Sequence, residues 1–389
     1  MSTLKYTLIY LSLCLINHHA HAQSVCISLF NETPVKGVVV SALKGTYRVF
    51  GDSSFIMNQS EKDAMYISMF DHRLLLRNSR QPIGNFANIR FEAVDTNAVI
   101  RLNPVNPNKE PRQYNDNLLV SVAFERVLLI NEVQQSNYIA GVVDAEAGPN
   151  AEPEFYKAQS ILVRTFLYSN INKHKTEGFQ LCDGVHCQAY RGRAVRNPVI
   201  VNATKATSGL VIISMDSSLI TAAFHANCGG ETESAANAWL TDQDYLLPVK
   251  DPFCQNSSSA RWTKTIPLVQ WKTYLKSHGF KFTAGISPGD FDFMQINRKQ
   301  YYKVGKDSVP VKQIRNDYKL KSTFFSVVAT SKEIIINGRG FGHGVGLCQD
   351  GAMQMAKIGY KCDDILKYYF KDIRLIDYST LTSQNATQK

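Results

Sequence analysis

Beyond its first 22 residues this 389-residue chain lacks any stretch approaching the roughly 20 charge-free apolar residues of a bilayer-spanning helix, so none is expected there. It has no internal repeat and no low-complexity tract, which leaves no sign of a repeat architecture or a long flexible linker. It has no run of Lys and Arg interleaved with aromatic residues, the pattern of a nucleic-acid surface. Glycine is locally abundant, yet there is neither a G-x-G-x-x-G dinucleotide fingerprint nor a P-loop. No block of one charge sign stands out, although Lys+Arg 43 against Asp+Glu 33 gives a formal net charge of +10.

What is present begins with a leader. Lys5 precedes an apolar run from Thr7 to Ile16, and Ala20-His21-Ala22 offers small residues at the positions a signal peptidase reads. Residues 1–22 therefore read as a secretory signal peptide. The mature chain is expected to begin near Gln23, to be soluble, and to reach the periplasm or the cell exterior in association with the cell wall. Leu13 before Cys14 is larger than the small residue a lipoprotein site requires. Export turns the basic balance toward an anionic envelope polymer and away from nucleic acid, while any single Lys is explained as well by a solvated surface. Seven cysteines lie beyond the leader, at 26, 182, 187, 228, 254, 348 and 362. An oxidising compartment permits disulfides, and an odd count leaves at least one thiol unpaired or metal-bound.

The length suits one large domain or two to three ordinary ones. From Ser24 to about Asn131, short alternating or β-branched runs such as VKGVVVSAL and LLVSVAF are punctuated by Gly, Asn, Asp and Pro, which predicts strands; 104–117 is polar and Pro-rich and predicts a loop. After Tyr138 the period changes. Pro153 opens a segment in which Ala158, Ile161, Leu162, Thr165, Phe166 and Tyr168 recur at helical spacing, so Glu146 is placed just ahead of a long helix. Strand-like runs return over 198–226, a short helix is expected at 269–277, and 347–369 predicts two helices broken at Gly359, the second capped by Asp363. The expected class is α+β: a β-rich mixed domain with a few helices around a cleft. The divisions are a β-rich N-terminal region at 23–130, a core at 131–375 with a β-rich insertion at about 195–335, and a polar tail at 376–389.

Four segments carry chemistry. His174, Cys182, His186 and Cys187 fall within fourteen residues, an N2S2 set that zinc takes tetrahedrally; four protein donors leave no position for water, so the metal would brace a loop. A Cys182–Cys187 disulfide beside two surface histidines is the alternative. In NGRGFGHGVGLCQDGA, alternate glycines surround His343 ahead of Gln349, as in a site wall that lets backbone approach a ligand. Glu146 sits among Val142, Val143, Ala145 and Ala147, surroundings that raise a carboxyl pKa toward a useful proton donor; a favourable charge at the start of the next helix explains it equally. HANCGGETESAANAW, beginning at His225, reads as a cleft loop or a buried turn, with Cys228 able to pair with Cys254.

These segments, in this order, resemble the SpoIID/LytB family, that of stage II sporulation protein D. The resemblance rests on YIAGVVDAEAG, FYKAQSILVRTFLY, HKTEGFQLCDGVHCQAY, FHANCGGETESAANAW with YLLPVKDPFC, and GRGFGHGVGLCQDGAMQMAKIGY with ILKYYF, spanning 138–370. It implies a glycan-binding cleft and a peptidoglycan lytic transglycosylase acting on glycan strands stripped of stem peptides, leaving 1,6-anhydro-muramoyl ends. It implies Glu146 as the acid/base, structural zinc on His174, Cys182, His186 and Cys187, and sugar-positioning roles for Arg164, His225, His343 and Gln349. Ala147 and Cys348 depart from the usual Met and Ser. The implied partners are peptidoglycan strands and an amidase that removes stem peptides; a non-catalytic amidase-enhancing module is the alternative.

Overall fold

The computed structural model describes residues 24–239, 242–282 and 285–381; the leader expected at 1–22 lies outside the described residues. The fold is α+β and β-rich, as expected. Alternation builds the N-terminal half: along Gly37–Lys44, Val38, Val40 and Ala42 are fully buried while Val39 and Ser41 are half-exposed. Six strands form one sheet in the order Arg112–Asn115, Val99–Asn106, Gly37–Lys44, Ala64–Phe70, Arg73–Arg77 and Pro82–Phe86. A seven-stranded sheet runs Leu181–Cys182, Ser24–Leu29, Arg126–Gln134, Asn117–Ala123, Asn88–Ala93, Tyr47–Gly51 and Ser54–Gln59. Buried side chains of both sheets share one core. The segment expected as a loop at 104–117 is instead largely paired, because Arg112–Asn115 folds back antiparallel on Val99–Leu102.

The long strand Arg126–Gln134 leads directly into α1 (Gln135–Ala147), which is buried nearly all round through Tyr138, Ile139, Ala140, Val142 and Val143. α1 stops at Gly148, whose φ of 71° is left-handed. α2 (Pro153–Ser169) starts at a Pro in its first turn and buries eleven residues, including Gln159, Ser160, Arg164 and Thr165. Glu146 thus lies in the last turn of its own helix, and the charge-at-a-helix-start account does not hold.

The β-branched run after Pro198 forms α3 (Pro198–Ala206) where strand was expected. Pro198 presets the first helical φ, Asn197 Oδ1 accepts from the Val199 amide, and Ser160 and Thr204 hydroxyls meet at 3.0 Å against α2. Packing on α2 outweighs the weak strand preference of Val and Ile.

After α4 (Ala235–Trp239), a satellite core gathers round Trp271 from the sheet of Arg261–Pro267, Glu333–Arg339 and Phe325–Ala329 together with α5 (Leu268–Ser277) and α6 (Val311–Asp317). The chain then returns to the main core through α7 (Gln349–Lys357) and α8 (Cys362–Tyr369), separated by Gly359. Lys361, not Asp363, is the residue preceding α8; the Lys361 amide donates to Asp364 and the Cys362 amide to Glu154 at the head of α2. Among the described residues no helix is long and apolar enough to cross a membrane.

Candidate active site and metal cluster

A cleft of about 790 Å³ opens between the end of α2, the loop after Cys182, the segment 219–224 and His343. Glu146 faces it from the end of α1. Its Oε1 accepts the Ala189 amide at 2.9 Å. Burial raises the carboxyl pKa above the ordinary glutamate value, opposed by that amide and by the charge of Arg191. The position in the last turn of α1 acts in the same upward direction, since unsatisfied carbonyls there disfavour an anion. Glu146 makes no salt bridge among the described residues, whereas Asp144, two residues earlier and buried, pairs with Arg196 at 3.0 Å.

The loop that supplies the Ala189 amide is held from several sides. Leu181–Cys182 adds in parallel to the strand Ser24–Leu29. Asp183 accepts the Phe30 and Asn31 amides at 2.7 and 3.0 Å and pairs with Arg112 at 2.7 Å. Tyr190 is fully buried with its hydroxyl donating to Asn131. At Gly141 a Cβ would stand 2.2 Å from the Gly192 carbonyl oxygen and 2.6 Å from the Tyr190 ring, so α1 and this loop meet at a distance only glycine allows.

One nitrogen or sulfur from each of His174, Cys182, His186 and Cys187 comes within 4.8 Å of the others. Cys187 Sγ lies 3.4 Å from His174 Nε2, and His186 Nδ1 lies 3.9 Å from both sulfurs. His174 Nδ1 meets the Glu177 carboxylate at 2.5 Å, which places the ring proton there and leaves Nε2 free to bind a cation. Cys182 is drawn down to about 5, first by the hydrogen bond from Cys187. These donors fit a closed, four-coordinate site for a borderline-soft metal ion. His186 and Cys187 also line the cleft, two and three residues before Ala189.

The remaining expected residues separate. His343 lines the cleft; its Nδ1 accepts the Val345 amide at 3.0 Å, and burial lowers its pKa to about 4, so it is a neutral imidazole. His225 stands behind it, ring centres 5.4 Å apart and buried, donating from Nδ1 to the Val345 carbonyl while Nε2 has no hydrogen-bond partner among the described residues. Gln349 touches Glu146 only through its backbone carbonyl, at 3.4 Å. Arg164 does not reach the cleft. Its guanidinium is buried against the carbonyls of Leu210 and Thr204, at 3.0 and 3.2 Å, and is a structural clamp between α2 and α3. The alternating glycines serve chiefly close backbone packing: at Gly346, with φ of 71°, a Cβ would lie 2.3 Å from the Ala223 carbonyl. Trp239, which sequence reasoning missed, projects into the cleft beside His343 at 5.2 Å; the signal was a lone aromatic closing a run of small polar residues.

Together these residues define an α+β protein whose cleft joins one carboxyl group of raised pKa to a thiol–imidazole cluster able to hold a metal ion. The profile of the SpoIID family, "Stage II sporulation protein", matches residues 124–213, the stretch that carries α1, α2 and the Cys/His loop. The chain is 28% identical over 280 residues to stage II sporulation protein D of Bacillus subtilis, covering 67% of this chain and 79% of that one. It is 26% identical over 276 residues to an uncharacterized protein of Brachyspira hyodysenteriae, covering 70% and 74%. An amidase enhancer of Bacillus subtilis is 24% identical over 297 residues, 62% of this chain and 40% of the enhancer. The resemblance to the SpoIID family read from the sequence is borne out, with the family match falling on residues 124–213.

Proposed function

We propose that this chain is an exported lytic transglycosylase that cleaves the bond between N-acetylmuramic acid and N-acetylglucosamine in peptidoglycan glycan strands stripped of stem peptides. The observation that carries this reading is that, among the described residues lining the cleft, Glu146 is the only acid. A hydrolysing glycosidase needs two carboxyl groups, one of them to activate water or to attack the sugar. One carboxyl is enough when the substrate's own hydroxyl closes on the sugar.

Glu146, whose acid form is favoured by burial, donates to the glycosidic oxygen as the C1–O bond breaks, leaving a hydroxyl on the departing sugar. The Glu146 carboxylate then takes the proton of the muramoyl C6 hydroxyl as O6 bonds to C1. The product is a 1,6-anhydro end and Glu146 regains its proton. The Ala189 amide at Oε1 favours the carboxylate in the second half of the cycle. Exposed Trp239 and neutral His343 supply a flat apolar face and a polar edge for a sugar ring.

We assign zinc to His174, Cys182, His186 and Cys187. A closed set of four protein donors gives the bound ion a bracing role only. These residues link the end of α2 to Cys187 and so to the amide of Ala189. Export is supported by the leader pattern in residues 1–22. The amidase-enhancer relative favours work beside an amidase that strips stem peptides, and it also motivates a second reading, a glycan-binding enhancer without chemistry.

Digestion of denuded and intact peptidoglycan with the wild type and Glu146→Gln, followed by mass spectrometry of the muropeptides, separates these readings. Anhydro ends are expected from the wild type on denuded strands, with turnover lower by about 10² to 10⁴ in the variant. Anhydro ends at wild-type yield from Glu146→Gln would overturn the assignment, and none from either protein would favour the enhancer.

A further inference from the structure

A second cluster lies outside the cleft. Cys228, Asp251, Cys254 and Cys348 are each 1% exposed or less, and one ligand atom from each comes within 4.8 Å of the others. Three distant segments supply them: the loop after Phe224–His225, the turn Asp251–Cys254, and the residue immediately before α7. Cys228 Sγ is 3.4 Å from Cys254 Sγ and 3.1 Å from Asp251 Oδ2, and Cys348 Sγ accepts the Cys228 amide at 3.3 Å.

The charge of this group needs a partner. Asp251 accepts the Phe253 amide at Oδ1 and the Tyr369 hydroxyl at Oδ2, both neutral donors, and makes no salt bridge among the described residues. A buried carboxylate without a cation is costly, and weak thiol donors do little to offset it. A Cys228–Cys254 disulfide would leave Asp251 and the Cys348 thiol enclosed with no opposite charge. A divalent ion would use all four groups. Tetrahedral zinc, with Zn–S near 2.3 Å, holds its donor atoms about 3 to 4 Å apart, close to the spacing found here. Room for the carboxylate is kept by Gly351 on α7, where a Cβ would fall 2.4 Å from Asp251 Oδ2 and 2.2 Å from the Tyr369 hydroxyl.

We propose that Cys228, Asp251, Cys254 and Cys348 form a second, closed zinc site that ties the 225–229 loop to the head of α7. Gln349 follows Cys348 and touches the Glu146 carbonyl, and Asn227 precedes Cys228 and exchanges hydrogen bonds with Phe341. The site therefore braces the cleft wall opposite the Cys/His loop. It stands on geometry of its own, whatever reaction the cleft performs.

The test is metal stoichiometry on the full chain exported through its own leader and purified without chelator. The wild type is expected to carry two zinc ions per chain, Cys182→Ser/Cys187→Ser one, Cys228→Ser/Cys348→Ser one, and Glu146→Gln two. Cobalt(II) loading of the Cys182→Ser/Cys187→Ser variant should retain thiolate-to-metal absorption that Cys228→Ser/Cys348→Ser loses at that site. Should the cysteine variants not fold, the unmutated chain still decides: denatured in chelator without reductant, Cys228, Cys254 and Cys348 should all alkylate. One zinc per wild-type chain, or a Cys228–Cys254 disulfide that alkylates only after reduction, would overturn the proposal while leaving the anhydro-end assay untouched.

Discussion

The Ala189 amide donates to Glu146 Oε1 at 2.9 Å, two residues beyond Cys187 of the Cys/His cluster. One short loop thus belongs to both the metal-binding group and the acid. A change at either end should be felt at the other.

Glu146 has a raised pKa, so the folded state holds its proton more tightly than the unfolded state does. By linkage, the wild type should lose stability as pH rises from the ordinary value of 4.5 through the raised one, and Glu146→Gln should not. Melting temperatures across that window check this. A flat difference between the two proteins would contradict the burial that the mechanism relies on. Activity on denuded strands should fall over the same rise, as the acid form is lost.

Cys187→Ala removes one donor and loosens the segment bearing Ala189. It should lower the melting temperature by about 5 °C or more. Since the Ala189 amide lowers the Glu146 pKa, its loss should also move the alkaline limb of the pH–activity profile upward. A variant that melts early but keeps the wild-type profile would separate the metal cluster from the acid.

Gly141→Ala places a methyl group 2.2 Å from the Gly192 carbonyl, which is backbone and cannot rotate away. Overpacking of this kind costs about 1 to 3 kcal/mol. Because the displaced loop is the one that carries Ala189, turnover should fall with stability. Denaturant unfolding measured together with anhydro-end yield checks both. Gly148→Ala offers a contrast, since its added methyl meets nothing within 4 Å although φ is positive.

Trp239→Ala should weaken substrate binding in ground and transition states alike. An approximately tenfold rise in KM with kcat little changed is expected, equivalent to about 1.4 kcal/mol. Steady-state kinetics on defined glycan chains decide it. A fall in kcat alone would place Trp239 nearer the chemistry.

Arg164→Met should behave in the opposite sense. Its guanidinium, with a pKa lowered to about 10 by burial, bonds backbone carbonyls alone among the described residues. Loss of two charged hydrogen bonds should cost roughly 2 to 4 kcal/mol of stability, with KM and kcat per folded molecule unchanged. A specific rise in KM would return Arg164 to the substrate.

Local order was legible without coordinates. The two-residue alternation of Val38, Val40 and Ala42 and the helical spacing of Ala158, Ile161, Leu162 and Thr165 each record which side chains face a core, because backbone geometry repeats over a few residues. Four donors within fourteen residues marked the Cys/His cluster for the same reason, as the loop itself brings them close. Tertiary structure decided what distant segments supply. It turned Arg164 toward Thr204 and Leu210, put His343 in the cleft with His225 behind it, and joined the Asp251–Cys254 turn to Cys228 and to Cys348, the latter almost a hundred residues on. It moved Glu146 from the approach to one helix to the closing turn of another, under an amide 43 residues away. A carboxyl group's tendency to hold its proton depends on the water and charge around it, and those are set by packing between segments that the order of residues alone does not bring together.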